Sequence, residues 1–467
     1  MLPDMERRPA QPGPATCPEP RESAVAIVVR RREGAWEVLV GLRSRRSRFL
    51  PGNWAFLGGR LESIDASGPG DAHLRCAARE LEEETGLALE EASWFDAGML
   101  ITPPLYPLRY RTRFFLACAP EDWRPPRTPP IPEEIEALRM VGARELLAEW
   151  RRGRVIVPPI LPPLLEVLAC GGDDDPARLA ENVARACRRQ EACHRIEFVP
   201  GVWCYPLESR TLPPATHTNA WMPGATRFVL IDPGSDDPAQ LARLENVVQR
   251  RRADGATLAA VVLTHHHPDH AGGAAWAAER WGRGVWAHPS TLERIDLPRW
   301  VPTRSLADGE GIDLGGVDLR VIATPGHAPG HLVFHCPARS AVICGDLVSS
   351  LSTILIDPAD GGDMARYLES LVRVAALAPR WLFPAHGPPL PGRALEGFQR
   401  HRLERERLVE RALQAAPRSL REVADAAYRD APRAAWSLIE PQALAHLLLL
   451  EARGRARRCD GGWRRGD

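Results

Sequence analysis

Residues 264–273 read THHHPDHAGG and follow directly on the apolar run LAAVVL at 258–263. A run of that kind predicts a buried strand, so the polar cluster emerges at a strand end. His265 and His267, two residues apart in a tight loop, can reach one metal ion, while Asp269 and His270, further round the turn, can reach a second. His266 should point away from its neighbours and receives no role. Downstream come His327 in ATPGHAPGH, Asp346 in ICGD and His386 in FPAHGP, each again following an apolar stretch that reads as a strand. Fourteen histidines in 467 residues could place three together by chance. Three further strand-end positions carrying His or Asp are what make coincidence a poor account.

This set resembles the metallo-β-lactamase superfamily, whose His-x-His-x-Asp-His signature THHHPDHAGG matches. The resemblance implies an αββα sandwich with its site at one edge of paired sheets. It implies one metal held by His265, His267 and His327, a second held by Asp269, His270 and His386, and Asp346 bridging both. Asp269 is also expected to be catalytic. VLIDPG at 229–234 matches the early strand and turn, with Asp232 expected to orient the cluster, and His217-Thr218-Asn219 matches a polar loop. Imidazole and carboxylate ligands suit two zinc ions, with iron or manganese as alternatives. A water between two such cations loses a proton near neutral pH and becomes a nucleophile, and the cations offset charge on the attacked oxygen. Hydrolysis follows; a thioester, lactone, lactam or phosphodiester could be the bond.

Strands are predicted at 196–204, 226–231, 258–263, 284–287, 317–323, 331–336 and 340–344, with helices at 238–251, 272–281 and 363–377. From about 394 onward the pattern is almost wholly helical. This C-terminal region resembles the branch typified by the mitochondrial β-lactamase-like endoribonuclease, which carries a small winged-helix-like domain after its last metal-binding histidine. HRLERE matches a stretch of that branch at His401, Arg402, Arg405 and Glu406. Arg453, Arg455, Arg457, Arg458, Arg464 and Arg465 face only Glu451, Asp460 and Asp467 over the last seventeen residues. Clustered arginines can position a phosphate backbone. Single-stranded RNA cleavage is therefore the first expectation, with a thioester or other small-molecule ester hydrolase as the alternative.

A second motif lies upstream. Residues 58–87 read GGRLESIDASGPGDAHLRCAARELEEETGL. On a helix Glu80, Glu83 and Glu84 share one face, while Glu82 points to the opposite side. Three crowded carboxylates repel unless a cation sits among them, and magnesium prefers oxygen ligands. Arg79 can pin one of them through its fork. RELEEETGL resembles the end of the Nudix box, and Gly58-Gly59 its beginning. The resemblance implies an α/β/α sandwich, magnesium or manganese held by Glu80, Glu83 and Glu84, Glu83 and Glu84 as catalytic residues, and hydrolysis of a nucleoside diphosphate linked to another group. The front half departs from the common pattern, because Gly59 lies twenty residues before Arg79, six too many. Asp65 satisfies the distance from the glycine and Asp71 the distance to the arginine. Such an insertion resembles a subgroup that splits coenzyme A and its esters. A non-catalytic, nucleotide-binding Nudix module is the other reading.

Around the box, strands are predicted at 23–30, 36–42 and 109–119, and helices at 71–84, 133–150 and 159–170. The expected organisation is α/β and α+β multidomain: 1–22 disordered, 23–170 Nudix, 171–196 a linker with a short helix, 197–392 metallo-β-lactamase, 393–458 winged-helix-like, and 459–467 a basic tail. Sixty basic and sixty acidic side chains cancel, so no global charge recruits a polyanion. Ten cysteines show no Cys-x-x-Cys pair, and neither a signal-peptide run nor an 18-residue apolar stretch occurs. A cytoplasmic enzyme acting on a nucleotide-containing or acyl small molecule, away from membranes, is the expectation.

Overall fold

The computed structural model describes residues 17–47, 49–170, 175–193, 195–431 and 436–466. The disorder expected for residues 1–22 falls mostly, and the Gly171–Asp174 part of the expected linker wholly, outside the described residues. The chain divides into two compact units, one of Cys17–Tyr205 with Arg243–Asp254 and the other containing Pro206–Ala242 and Gly255–Asp467. Among the described residues no helix is long and apolar enough to cross a membrane.

The first unit is built on a mixed sheet. Its central strand Arg21–Arg32 pairs in parallel with Tyr110–Cys118 and antiparallel with Ala35–Arg43 and Leu57–Arg60. Successive side chains of a strand point to opposite faces. Ile27 and Val29 accordingly join a core with helices Ala143–Arg151 and Leu161–Ala169, while Ala24, Ala26 and Val28 meet Cys76, Ala77 and Leu81 of helix Ala72–Thr85. Both faces are covered by helices, as an α/β/α sandwich requires. Asp71 caps the N-terminus of Ala72–Thr85, and Gly86, at φ +72°, ends it in the left-handed conformation.

Two expectations change here. Residues 133–150 are half strand: Ile135–Gly142 pairs antiparallel with Ala35–Arg43 before helix Ala143–Arg151 begins. Ile135, Leu138 and Val141 have helix-like spacing, and tertiary pairing overrides it. The helix expected inside a linker spans Pro176–Cys193, and its Leu179, Ala180, Val183 and Cys187 are buried in the first unit's core. Its apolar face needs a partner, and that makes it part of the unit rather than a connector.

In the second unit, strands Arg227–Ile231, Thr257–Val262, Val285–Ala287 and Thr303–Ser305 form a parallel ladder, with His217–Pro223 antiparallel at its side. A second sheet runs Gly311–Ile312, Leu319–Ala323, Leu332–Cys336, Ala341–Gly345, Trp381–Pro384, Leu390–Pro391. Trp221 stacks on Phe383 at 4.8 Å and its indole N–H donates to the Pro384 carbonyl at 3.2 Å, joining the two sheets. Helix Met364–Ala375 covers the second sheet through Tyr367 and Leu371. The C-terminal region holds helices Ala394–Ala412, Leu420–Ala427 and Trp436–Ala452, then a hairpin of Ala456–Cys459 and Gly462–Arg465 where the sequence suggested helix and a basic tail. Trp463 is buried and its backbone bridges to Arg418, so the terminus is held by packing.

Candidate metal centre

The loop after strand Thr257–Val262 brings His265 and His267 against His327 from the loop before Leu332–Cys336. His265 Nε2 lies 2.8 Å from His267 Nδ1 and 3.2 Å from His327 Nε2, and the last two nitrogens are 2.9 Å apart. The opposite nitrogen of each ring is engaged. His327 Nδ1 donates to the Leu355 carbonyl at 2.7 Å and His267 Nε2 to Asp360 at 2.7 Å, while His265 Nδ1 lies 3.0 Å from Thr264 Oγ1. Thr264 Oγ1 gives its own proton to Asp232, so it accepts from His265. Three lone pairs therefore converge on one point, an arrangement that calls for a cation.

A second group adjoins it. His386 Nε2 is 3.4 Å from Asp269 and 3.4 Å from Asp346 Oδ1, and His270 Nε2 is 3.6 Å from that same oxygen. Asp346 Oδ2 reaches 3.5 Å from His327 Nε2, so this carboxylate faces both groups. His270 Nδ1 donates to Asp232 at 2.8 Å and His386 Nδ1 to the His217 carbonyl at 2.9 Å, which turns both Nε2 atoms inward. His270 Nε2 and Asp346 Oδ1 are buried with no hydrogen-bond partner. An orphaned imidazole nitrogen and carboxylate oxygen at one point fit a bound ion. A dinuclear His/Asp metal-binding motif is present.

Electrostatics separate the two groups. Burial opposes charge on His270 and His386, but Asp346 foremost and Asp269 raise both, so without a cation these two imidazoles pair with the carboxylates. Burial opposes the charge of Asp269, but His270 and His386 outweigh it and hold the carboxyl below its ordinary range. Burial likewise opposes Asp346, and His386 and His270 hold it well down. Burial, then the neighbouring imidazoles, push His265 well below 6.5 and, with His267 foremost among those neighbours, His327 to about 4. Both rings are thus unprotonated and ready to ligate.

Some contributors received no particular role from the sequence, although Asn219 and Gly234 lie in stretches that matched. His331 accepts the Asp346 backbone N–H at 3.1 Å and donates from Nδ1 to Thr324 at 2.8 Å, fixing the turn that carries Asp346. Asp360, on a turn ninety-three residues from His267, has no spacing that links it to the histidines. It also receives His266 Nε2, at 3.4 Å, the one histidine of the triplet outside the two ligand groups proposed from sequence. Asn219 donates to the Pro384 and Gly387 carbonyls, setting the His386 loop. Gly234 explains itself by contact: a Cβ there would lie 1.8 Å from the Asp269 carbonyl oxygen. Gly234→Ala is expected to lower stability by about 1–3 kcal/mol and to displace Asp269. Thermal melting together with metal content after gel filtration checks both effects.

In the first unit Asp65, not Asp71, reaches Arg79. Asp65 is buried and accepts Arg79 Nε and Nη2, each at 2.9 Å, from helix Ser63–Ala66 inside the insertion. Asp71 accepts the His73 N–H as a helix cap and pairs with Arg113 instead. Arg79 Nη1 also holds Glu80 and Glu83 at 3.0 Å. Glu84 is buried, accepts the Gly58 N–H at 3.2 Å, and is raised to about 8 by burial and by Glu80. Gly59 admits the Glu80 carboxylate, since a Cβ there would sit 2.2 Å from Glu80 Oε1. Glu82 and Glu83 are exposed. Among the described residues the three glutamates do not converge as tightly as the His/Asp groups do. Glu80 borders a cavity of about 460 Å³ with Glu134, Arg43 and Arg60, and the clustered rings of Phe49, Tyr106 and Tyr110 also line it. Glu134 carries no signal in the sequence, because its segment reads as helix.

The fold and sites define a metal-dependent hydrolase. More particularly, the chain is a Nudix domain fused to a metallo-β-lactamase-fold domain: residues 20–158 match the NUDIX domain model and 214–386 that of the Metallo-beta-lactamase superfamily. A Beta-lactamase-like protein 2 homolog of Drosophila melanogaster is 28% identical over 256 residues, covering 51% of this chain and 84% of that protein. Hydroxyacylglutathione hydrolase of Acidiphilium cryptum is 38% identical over 159 residues, 34% of this chain and 58% of its own length. The crystal structure of a Beta-lactamase domain protein from Burkholderia ambifaria superposes with TM-score 0.51 at 25% identity, covering 58% of this chain and 93% of that one.

Proposed function

We propose that the second unit hydrolyses a thioester or related ester of a small acyl group. His265, His267 and His327 would hold one cation, Asp269, His270 and His386 the other, and Asp346 both. The observation that carries this reading is the 38% identity to a hydroxyacylglutathione hydrolase. Bound divalent cations supply Lewis acidity, lowering the pKa of water and offsetting charge on the attacked carbonyl oxygen. Asp232 keeps His270 in the tautomer that ligates, and Asp360 and the Leu355 carbonyl do the same for His267 and His327. A thiolate, with a pKa of about 8.5, leaves without a proton from the protein. That suits a site whose two acids are both held ionised.

Single-stranded RNA cleavage, first from the sequence, becomes second. Arg453 and Arg455 are bound to Glu406 at 2.7 and 3.1 Å, and Arg455 also to Glu410, so part of the basic cluster is already neutralised. The C-terminal helices and hairpin are read as winged-helix-like, with a packing role. For the first unit the reading is magnesium-dependent hydrolysis of a nucleoside diphosphate derivative by Glu80, Glu83 and Glu84, with the aromatic cavity taking the apolar part. A coenzyme A thioester would present both scissile bonds. Purified full-length protein is expected to release thiol from hydroxyacyl-glutathione or acyl-coenzyme A, measured with a thiol reagent, and to stop on chelation. Cleavage of labelled single-stranded RNA with no thiol release would reverse the order.

A further inference from the structure

HRLERE at 401–406 has no part in the chemistry above, and three of its charged side chains, unlike the exposed Glu404, do not face solvent. Arg402 is 3% exposed, Arg405 8% and Glu406 3%. Burying a guanidinium is expensive unless its donors are matched, so its partners show what it is for. Arg402 donates Nη2 to the Ile354 carbonyl and Nη1 to Gln442 Oε1 at 3.4 Å. Gln442, on helix Trp436–Ala452, donates Nε2 to the same Ile354 carbonyl at 2.8 Å and accepts the Ile356 N–H at 3.4 Å. Residues 353–357 lie outside the named strands and helices, so these side chains take the place of a sheet ladder.

The carbonyl between those two anchored residues faces the other way. Leu355 O is the acceptor that orients His327 through Nδ1. Five residues on, the same strap carries Asp360, which orients His267. Two of the three imidazoles in one ligand group therefore take their orientation from a single strap, and the C-terminal helices grip that strap at Ile354 and Ile356. A second route ends at the same histidine. The Arg402 guanidinium lies 5.1 Å over the Tyr367 ring, and the Tyr367 backbone abuts Gly326, where a Cβ would sit 2.3 Å from Tyr367 N.

We propose that Arg402 and Gln442 are positioning residues for the metal centre, acting through the strap 353–360 on His327 and His267. The proposal rests on the reading of the His/Asp cluster as a two-cation site. It gives the C-terminal helices a task at that site that needs no nucleic acid. Arg405 supplies the control: it is equally part of the motif, but its partners, Asp430 and the Ala427 carbonyl, belong to the C-terminal region itself.

The test is cobalt(II) titration of metal-free full-length protein against a competing chelator, with the visible absorption spectrum recorded, for wild type, Arg402→Met, Gln442→Met and Arg405→Met. Removing groups that orient a metal ligand is expected to weaken cobalt binding by about 10–100-fold. Arg402→Met and Gln442→Met should both show that loss and an altered spectrum, with partial recovery in Arg402→Lys. Arg405→Met should keep wild-type affinity even where its melting temperature falls as far. If Arg402→Met does not fold, Gln442→Met decides alone. Wild-type affinity and spectrum in Gln442→Met, or an equal loss in Arg405→Met, would overturn the proposal. Wild-type protein that takes up fewer than two ions overturns the metal reading itself, and this proposal with it.

Discussion

Asp346→Asn is expected to lower thioester turnover by about 10²–10³-fold and to reduce bound metal from two ions toward one. The estimate follows the scale on which a single preorganised electrostatic group acts in a dry site. Within the proposed ligand set, the only anions are Asp269 and Asp346, and Asp346 alone faces both histidine groups. Two dications in a buried site repel each other strongly unless a negative charge lies between them. The amide of Asn keeps the shape and one acceptor oxygen but removes that charge, so it separates charge from packing. Metal content by elemental analysis and kcat by thiol release measure the two effects together. Full turnover with two ions still bound would remove Asp346 from the site. Turnover lost with two ions retained would keep it in the site and make its role one of orientation instead.

The second large effect concerns the first unit. Glu84→Gln is expected to reduce pyrophosphate hydrolysis by about 10²–10³-fold, the scale of losing one preorganised group, and to change how stability depends on pH. Burial and the Glu80 charge raise the folded Glu84 carboxyl from 4.5 to about 8. Between those values the folded state holds a proton that the unfolded state has released. Stability of the metal-free protein therefore falls as pH rises from about 4.5 to about 8, and levels off above that. Glutamine cannot lose a proton there, so this part of the slope disappears. Metal-free Glu84→Gln should match wild type near pH 5 and melt higher at pH 8.5, by on the order of a few kcal/mol. Magnesium should restore wild type at pH 8.5 and leave the variant unchanged. Superimposable pH profiles for the two metal-free proteins would contradict the burial argument, while an unchanged hydrolysis rate would take Glu84 out of the chemistry.

Much of this molecule could be read before any coordinates. The strand LAAVVL ending in THHHPDHAGG is local: a buried strand and a short loop settle where those side chains emerge, whatever lies elsewhere. The helix carrying Arg79 to Glu84 is local too, bounded by a cap at Asp71 and a left-handed glycine at Gly86. Patterns of period 2 and 3.6 record only a residue's own element. They could not choose between Asp65 and Asp71, because both satisfied a count along the chain and only one arrives beside Arg79 in space. They misread 133–150, where apolar spacing suited a helix and a neighbouring strand claimed half of it.

The partners that orient the ligands were least legible. Asp360 meets His267 from a remote turn, and His331 fixes the Asp346 backbone from just before a neighbouring strand. Arg402 and Gln442 clamp the Ile354–Ile356 backbone through groups common to every residue. A hydrogen bond to a carbonyl leaves no mark on the residue that owns the carbonyl. The basic C-terminal region makes the same point with charge. Its composition suggested an open cationic surface, and the fold brings Glu406 and Glu410 to Arg453 and Arg455. Composition counts charges; only three-dimensional packing pairs them. What the chain determined by itself was the kind of chemistry, because ligands and carboxylates are residue types. Which groups hold them in place was decided by tertiary structure, because orientation comes from contacts between segments that are remote in sequence.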